Sequence, residues 1–257
     1  MALSGVLSLF DSYSRQARLY PSLLLILPIP LVAIAAQPDL LTSRPTAAII
    51  GLLATCGVLY LMTSVVRSLG KAIEPGLLIK WNGWPTTEIL RHRGPLNGYT
   101  RLRYHKYLEE HVPEGYMPTA ADELVNPSQA DSHYDSAITW LKEQARGNDF
   151  PLVEKENAQY GFRRNLLGAR PIGILISLGC VAYCSASLVW NSSHLHGSLP
   201  SIVPAAVKLA SSELWLSTAM VGSVGAALWW IFFVNQSWVH EAGLQYARSL
   251  LAVCDKS

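Results

Sequence analysis

The sequence predicts an all-α membrane protein, with four transmembrane helices as two hairpins flanking a small, mainly helical cytosolic domain. Three observations carry this. Half of the 257 residues are hydrophobic and only 15% are charged, against roughly a quarter charged in an ordinary soluble domain. The apolar residues gather in four blocks, whereas a soluble fold interleaves them with charges along each amphipathic element. None of the four blocks contains Asp, Glu, Lys, Arg or His.

A bilayer core about 30 Å thick needs roughly 20 helical residues, somewhat fewer at the lower limit. The blocks at 19–36, 46–66, 171–190 and 214–234 meet that requirement. Backbone immersed in lipid must satisfy its own polar groups, so such runs have to be helices. Pro28 and Pro30 fall inside the first block and predict a kink or a break. Trp229 and Trp230, near the end of the fourth, suit a headgroup belt. The predicted organisation is an amphipathic N-terminal segment over 1–18, a first hairpin over 19–66 and a cytosolic domain over 67–170. A second hairpin follows over 171–234, then a C-terminal tail over 235–257. Arg15, Arg18 and Ala33-Ile34-Ala35 also resemble the features of a cleavable signal, but the leader is long and no secreted-type domain follows.

Orientation follows from the basic residues. Fourteen of the 20 Lys and Arg lie in 67–170, with Arg67 and Lys71 at one flank and Arg163, Arg164 and Arg170 at the other. The two short loops carry only Arg44 and Lys208. Positive residues stay inside, so both termini and the central domain are expected in the cytosol, as in a bacterial inner membrane. The second outer loop holds His194, His196 and the sequon Asn191-Ser192-Ser193, and reads as exposed polar chain.

Within the cytosolic domain the pattern predicts helices over 85–93, 100–111, 128–146 and 152–167, the last running on toward the third span. Pro85 marks a first turn, Gly147-Asn148 a stop, and Gly94 to Gly98 a turn. The run 77–81 reads as a strand or as extended chain. Trp81, Trp84 and Trp140 are candidate anchors of the domain's core or of its contact with the membrane surface.

Two constellations are candidate functional features. Arg91, Arg93, Arg101, Arg103 and Lys106 fall within sixteen residues that contain no acid, interleaved with His92, His105, Tyr99 and Tyr104. Guanidinium forks fit phosphate oxygens, so the patch is a candidate site for a nucleotide, an anionic lipid headgroup or nucleic acid; its plainer reading is a basic surface beside an anionic leaflet. Glu156, Asn157, Tyr160, Arg163, Arg164 and Asn165 make the helix leading into the third span strongly polar. They are read either as helix-to-helix supports or as an element coupling the domain to that span.

Other chemistry is missing from the sequence pattern. There is no Walker-type loop, dinucleotide fingerprint, zinc motif or nucleophile elbow, so no cofactor, metal or catalytic residue is assigned. Cys180 and Cys184 share a helix face and read as packing residues. A net charge of +2 is too small to argue for nucleic acid. Uncharged spans weigh against proton pumps, voltage sensors and ion-coupled carriers. Small residues recur at four-residue spacing: Ala47, Gly51 and Thr55; Gly173 and Ser177; Thr218, Gly222 and Ala226; Ala219, Ser223 and Ala227. Such rows let helices approach closely, which suits a homo-oligomer.

The layout resembles, in architecture and not in motif, small bacterial membrane effectors, including those of anti-phage defence. That likeness implies an oligomeric protein whose cytosolic domain senses a partner or anionic ligand and alters membrane permeability. The alternatives are a non-conducting scaffold that recruits a soluble partner, and a membrane-surface enzyme acting on lipid or nucleotide through His92, His105 and Glu156.

Overall fold

The computed structural model describes residues 11–37, 45–147, 149–194 and 202–256, and every regular element among them is helical. In chain order these are α1 (Ser12–Ala36), α2 (Pro45–Lys80), α3 (Pro85–Leu90), α4 (Gly98–His111) and α5 (Ala120–Val125). They continue with α6 (Pro127–Gln144), α7 (Pro151–His194), α8 (Ile202–Phe232) and α9 (Gln236–Leu251), the last closing in a 3₁₀ turn at Ala252–Asp255. The loops between α1 and α2 and between α7 and α8, with His196, lie outside the described residues, as do the side chains of Ala47, Gly51, Thr55, Cys56 and His194.

Among the described residues three helices are long and apolar enough to cross a membrane: α1, the stretch Pro151–Asn191 of α7, and the stretch Glu213–Phe232 of α8. The apolar block 46–66 lies in α2, where side chains are described from residue 57 onward. Large apolar side chains point outward along all four, among them Leu31 on α1, Leu61 on α2, Leu175 on α7 and Val221 on α8. Exposed apolar surface so continuous is what a lipid-facing bundle presents and what a water-soluble one avoids.

Pro28 and Pro30 interrupt α1 only at Leu27, whose backbone stays right-handed helical and whose N–H still reaches the Leu23 carbonyl at 3.0 Å. A second irregularity, a π-turn over Arg15–Leu19, precedes Pro21, which has no N–H to donate. The expectation of extended chain over 77–81 is corrected. Pro75-Gly76 looks like a breaker, yet α2 runs through both to Lys80 and stops at Asn82 and Gly83, which take positive φ of 55° and 119°. The Gly83 N–H bonds the Leu78 carbonyl at 2.9 Å, closing the helix end.

The short helices are capped from the sequence. Asn97, Thr119, Asn126 and Asn235 each accept a backbone N–H of the following turn, and Thr119 with Asp122 forms a reciprocal capping box. Pro85 and Pro127 occupy first-turn positions, and Gly147 follows α6 at φ 109°. The residues set apart as a C-terminal tail form α9. Val239, Ala242, Ala247, Leu250 and Leu251 recur on one face and are buried, an amphipathic spacing present in the sequence.

Three apolar clusters stack along the molecule. The first holds the helical head: Leu90, Leu108, Tyr134, Ile138 and Leu141 pack with Leu250 and Leu251 of α9. The second joins head and bundle, with Leu25, Val66, Leu77, Tyr160, Leu166, Trp230 and Val239 from five helices. The third closes the far end with Val32, Cys184, Leu216 and Ala219. Helix α7 borders all three by its length: 44 residues at 1.5 Å each reach about 66 Å. Trp230 is 1% exposed and lies on Gly173, where an added Cβ would strike the indole. It is a core residue and not the belt residue expected, because the glycine notch seats the ring between helices.

Candidate functional site

The feature that sets this structure apart from a plain helical bundle is a buried polar junction where α1, α2 and α7 cross. Glycines create it. Gly168 of α7 lies against the backbone of Leu69 and Gly70, where a Cβ would come within 2.5 Å of the Gly70 nitrogen, and Gly70 in turn lies against Asn165. Gly161, seven residues earlier, faces Ala17 and the Tyr13 hydroxyl of α1. With no side chains in the way the backbones approach closely, and polar groups on α7 reach two neighbouring helices.

Arg164 is 8% exposed, and its guanidinium meets the Glu74 carboxylate of α2 at 2.8 Å. The Tyr160 hydroxyl lies 3.5 Å from the same carboxylate, and the Arg164 guanidinium lies over the Tyr160 ring. Asn165, 1% exposed, donates its side-chain N–H to the Ala17 carbonyl at 2.7 Å and accepts from Arg164 at 3.3 Å. The residue four ahead of Ala17 is Pro21, so that carbonyl has no α-helical donor in its own chain segment, and Asn165 supplies one. Replacing Asn165 with Ala leaves the carbonyl buried and unpaired. The expected cost is about 1–3 kcal/mol, visible as a lower melting temperature of the detergent-purified chain.

The six residues read from sequence as a coupling element divide between two faces. Tyr160, Arg164 and Asn165 converge with Glu74 in the junction. Arg163 turns the other way, donating to the Trp238 carbonyl at 2.9 Å, stacking over the Trp238 ring and standing 3.8 Å from Glu241. That contact ties α7 to α9. Asn157 borders a cavity of about 270 Å³ beside the junction. Glu156 is half-buried and has no hydrogen bond or ion pair among the described residues. Glu74 was missed in the sequence reading. The available signal was an acidic residue eight positions beyond the second apolar block, at a depth matching Arg164 seven positions before the third.

The basic stretch is spread over the head and largely consumed by internal partners. Arg91 forms a two-point ion pair with Asp131, at 2.8 and 2.7 Å, and also bonds the Asn82 carbonyl. Arg103 pairs with Asp255 at 2.7 Å, and Lys106 reaches Glu110 at 3.8 Å. Arg101 donates to the Leu96 carbonyl at 3.4 Å. Arg93 has no partner among the described residues, and with Arg91 it borders an open cleft of about 900 Å³, which also holds Glu88, Glu123 and Asp131. Its three carboxylates outnumber its two cations, so size alone does not make it an anion site.

His92 and His105 stand edge to face at 5.3 Å, and each ring bonds a backbone carbonyl through Nε2, Pro118 at 2.9 Å and Leu90 at 2.8 Å. Burial lowers the His105 pKa, which favours the neutral ring as a fixed donor. Both rings therefore tie loop ends to the head, and Glu156 is placed on α7, away from the pair. Among the described residues no group of three His, Cys, Asp or Glu is placed to hold a metal ion.

Among the described spans most hydroxyls turn back onto their own helix, and that of Ser185 also reaches the Met220 sulfur of α8 at 3.6 Å. Ser22 bonds the Arg18 carbonyl, Thr63 that of Tyr60, Ser177 that of Gly173 and Ser223 that of Ala219. The two small-residue rows of α8 also separate. Ala219, Ser223 and Ala227 are buried against the bundle, while Thr218 and Gly222 face outward and nothing lies within 4 Å of a Cβ added at Gly222. Comparison with known protein families, with curated proteins and with solved structures found no match.

Proposed function

We propose that the protein is a membrane-embedded transducer: a cytosolic helical head senses an anionic ligand or a partner, and its state passes along α7 into the packing of four spans. The observation that carries this is the junction on α7. One uninterrupted helix enters the head core, is fixed to α2 by the Arg164–Glu74 pair and to α1 by Asn165, and continues through the bundle. A linker that only tethered a soluble domain would need neither the buried charges nor the glycine notches, both of which cost stability unless they fix an arrangement.

The output in this reading is a change in contacts between copies of the chain, with altered permeability of a bacterial inner membrane as the consequence. The outward face of Thr218 and Gly222 is where a second copy would pack, and both chain ends lie on the cytosolic side with the head. In this reading the protein is a membrane effector of the kind its layout resembles in architecture alone. A second reading, a non-conducting scaffold, is favoured by the hydroxyls of the described span residues, most of which bond back to their own helix. Potassium flux from liposomes reconstituted with the full chain separates the two. The transducer predicts flux above protein-free liposomes that changes when the junction is broken by Arg164→Met. Liposomes as tight as protein-free ones, for both wild type and variant, would leave the scaffold.

A further inference from the structure

The 270 Å³ cavity beside the junction has a wall chemistry that the ion pair does not explain. It is formed where α1, α2, α3, α6, α7 and α9 meet. At about 30 Å³ per water it has room for roughly nine water molecules. Two of its charged groups, Arg164 and Glu74, are spent on one another. The others are not. Lys142 reaches in from α6, lies 5.8 Å from the centre of the Trp84 ring, and has no carboxylate or hydrogen-bond partner among the described residues. Tyr13, Tyr246 and Asn157 also border the space without a hydrogen-bond partner among the described residues. The nearest additional acid felt by Lys142, Asp135, already accepts from the Thr87 hydroxyl.

This set has a definite polarity. An ammonium, two phenol hydroxyls and an amide N–H are all donors, and the net charge of the lining is one positive. Burial lowers the Lys142 pKa and outweighs the pull of Asp135 and Glu74, and it raises that of Tyr246 to about 12, the direction expected when charge is held away from water. The Arg164 Nε is also buried without a partner. The rings of Trp84, Tyr160 and Tyr246 supply apolar walls. Lys142, Asn157 and Tyr246 are shared with an adjoining open cleft of about 470 Å³ bordered by Arg146 and Glu154, which gives access from the surface of the head.

We propose that this cavity is a binding site for a small organic monoanion of about ten non-hydrogen atoms, its carboxylate held by Lys142, Tyr13, Tyr246 and Asn157 and its apolar part by Trp84. The site rests on the transducer reading for its consequence, since a ligand there touches the head helices α3, α6 and α9 and the span helices α1, α2 and α7 together. Its occupancy fixes how the head sits on the junction. The Arg91–Lys106 stretch takes no part.

Benzoate is a suitable probe, with nine non-hydrogen atoms and one carboxylate. Thermal melting of the full detergent-purified chain, at constant ionic strength, is expected to show a saturable rise with benzoate and none with chloride. Lys142→Met keeps the length and removes the charge. It is expected to melt no lower than wild type, because an unpaired buried cation is lost, and to lose the benzoate response. The Tyr13→Phe/Tyr246→Phe pair, which keeps the rings, is expected to weaken benzoate at least tenfold. No saturable response, or an equal response in Lys142→Met, overturns the site. A response to inorganic phosphate, or to nanodiscs containing phosphatidylglycerol, in place of benzoate overturns the assignment to an organic acid. These readouts do not involve flux: liposomes whose flux ignores bound benzoate would break the transducer reading and leave the site standing.

Discussion

Replacing Glu74 with Ala is expected to cost about 3–5 kcal/mol, because it strands the Arg164 guanidinium in an interior where it has lost its charge partner. The side chains of the pair are only 10% and 14% exposed, so solvent cannot take over the role of the carboxylate. The Tyr160 hydroxyl would lose its acceptor at the same time. The double variant Glu74→Leu/Arg164→Met should recover most of that loss, since removing both charges of a buried pair is often neutral or stabilising. Chemical or thermal unfolding of the three proteins in one detergent, analysed as a double-mutant cycle, checks both statements. The recovered double variant then asks a functional question the single variant cannot. If the pair serves as a latch, a chain of restored stability still lacks coupling between head and bundle, and its potassium flux no longer responds to the head.

The second large effect is expected at Gly168. Even an alanine there places its Cβ within 2.5 Å of the Gly70 nitrogen and the Leu69 carbonyl carbon, and 2.6 Å from the Leu69 oxygen. These are backbone atoms and cannot swing aside, so α2 and α7 must separate. Overpacking of this kind costs typically about 1–3 kcal/mol and sometimes more. It should also lengthen the Arg164–Glu74 contact one turn away. Gly179, on the same helix, provides the control: nothing lies within 4 Å of its added Cβ. Gly179→Ala should be neutral or stabilise by about 0.5–1 kcal/mol through helix propensity alone. Melting temperatures of the two variants, measured side by side, separate close packing from a general intolerance of larger residues in α7.

Hydropathy made the helical spans legible because lipid imposes one simple rule on long apolar runs. Capping residues did the same for the head: Pro85, Asn97 and Asn126 sit where the helices begin. What sequence could not supply was the pairing of helices. Asn165 reads as an odd polar residue near a membrane until Pro21, about 145 residues earlier, is seen to leave a carbonyl for it. Glu74 is one acid among many until α2 and α7 cross at Gly70 and Gly168. The basic stretch shows the converse. Its acid-free spacing is real, but Asp131 and Asp255 come from distant parts of the chain and neutralise Arg91 and Arg103. The cavity lining draws Tyr13, Trp84, Lys142, Asn157 and Tyr246 from five separate segments, a combination that no local pattern announces. Trp230 went astray for a similar reason, since a terminal tryptophan on a span is a belt residue only when no glycine opposite offers it a seat.

Coupling of head to bundle requires α7 to be one stiff element from one to the other. Hydrogen–deuterium exchange over residues 158–170, with the chain in nanodiscs, tests this most directly. The junction predicts amides there as slow as those of Ile138 and Leu141 in the head core, opening only with the whole molecule. A fast-exchanging stretch over 158–170, between a slow head and slow spans, would mean a hinge at this place and would contradict the account.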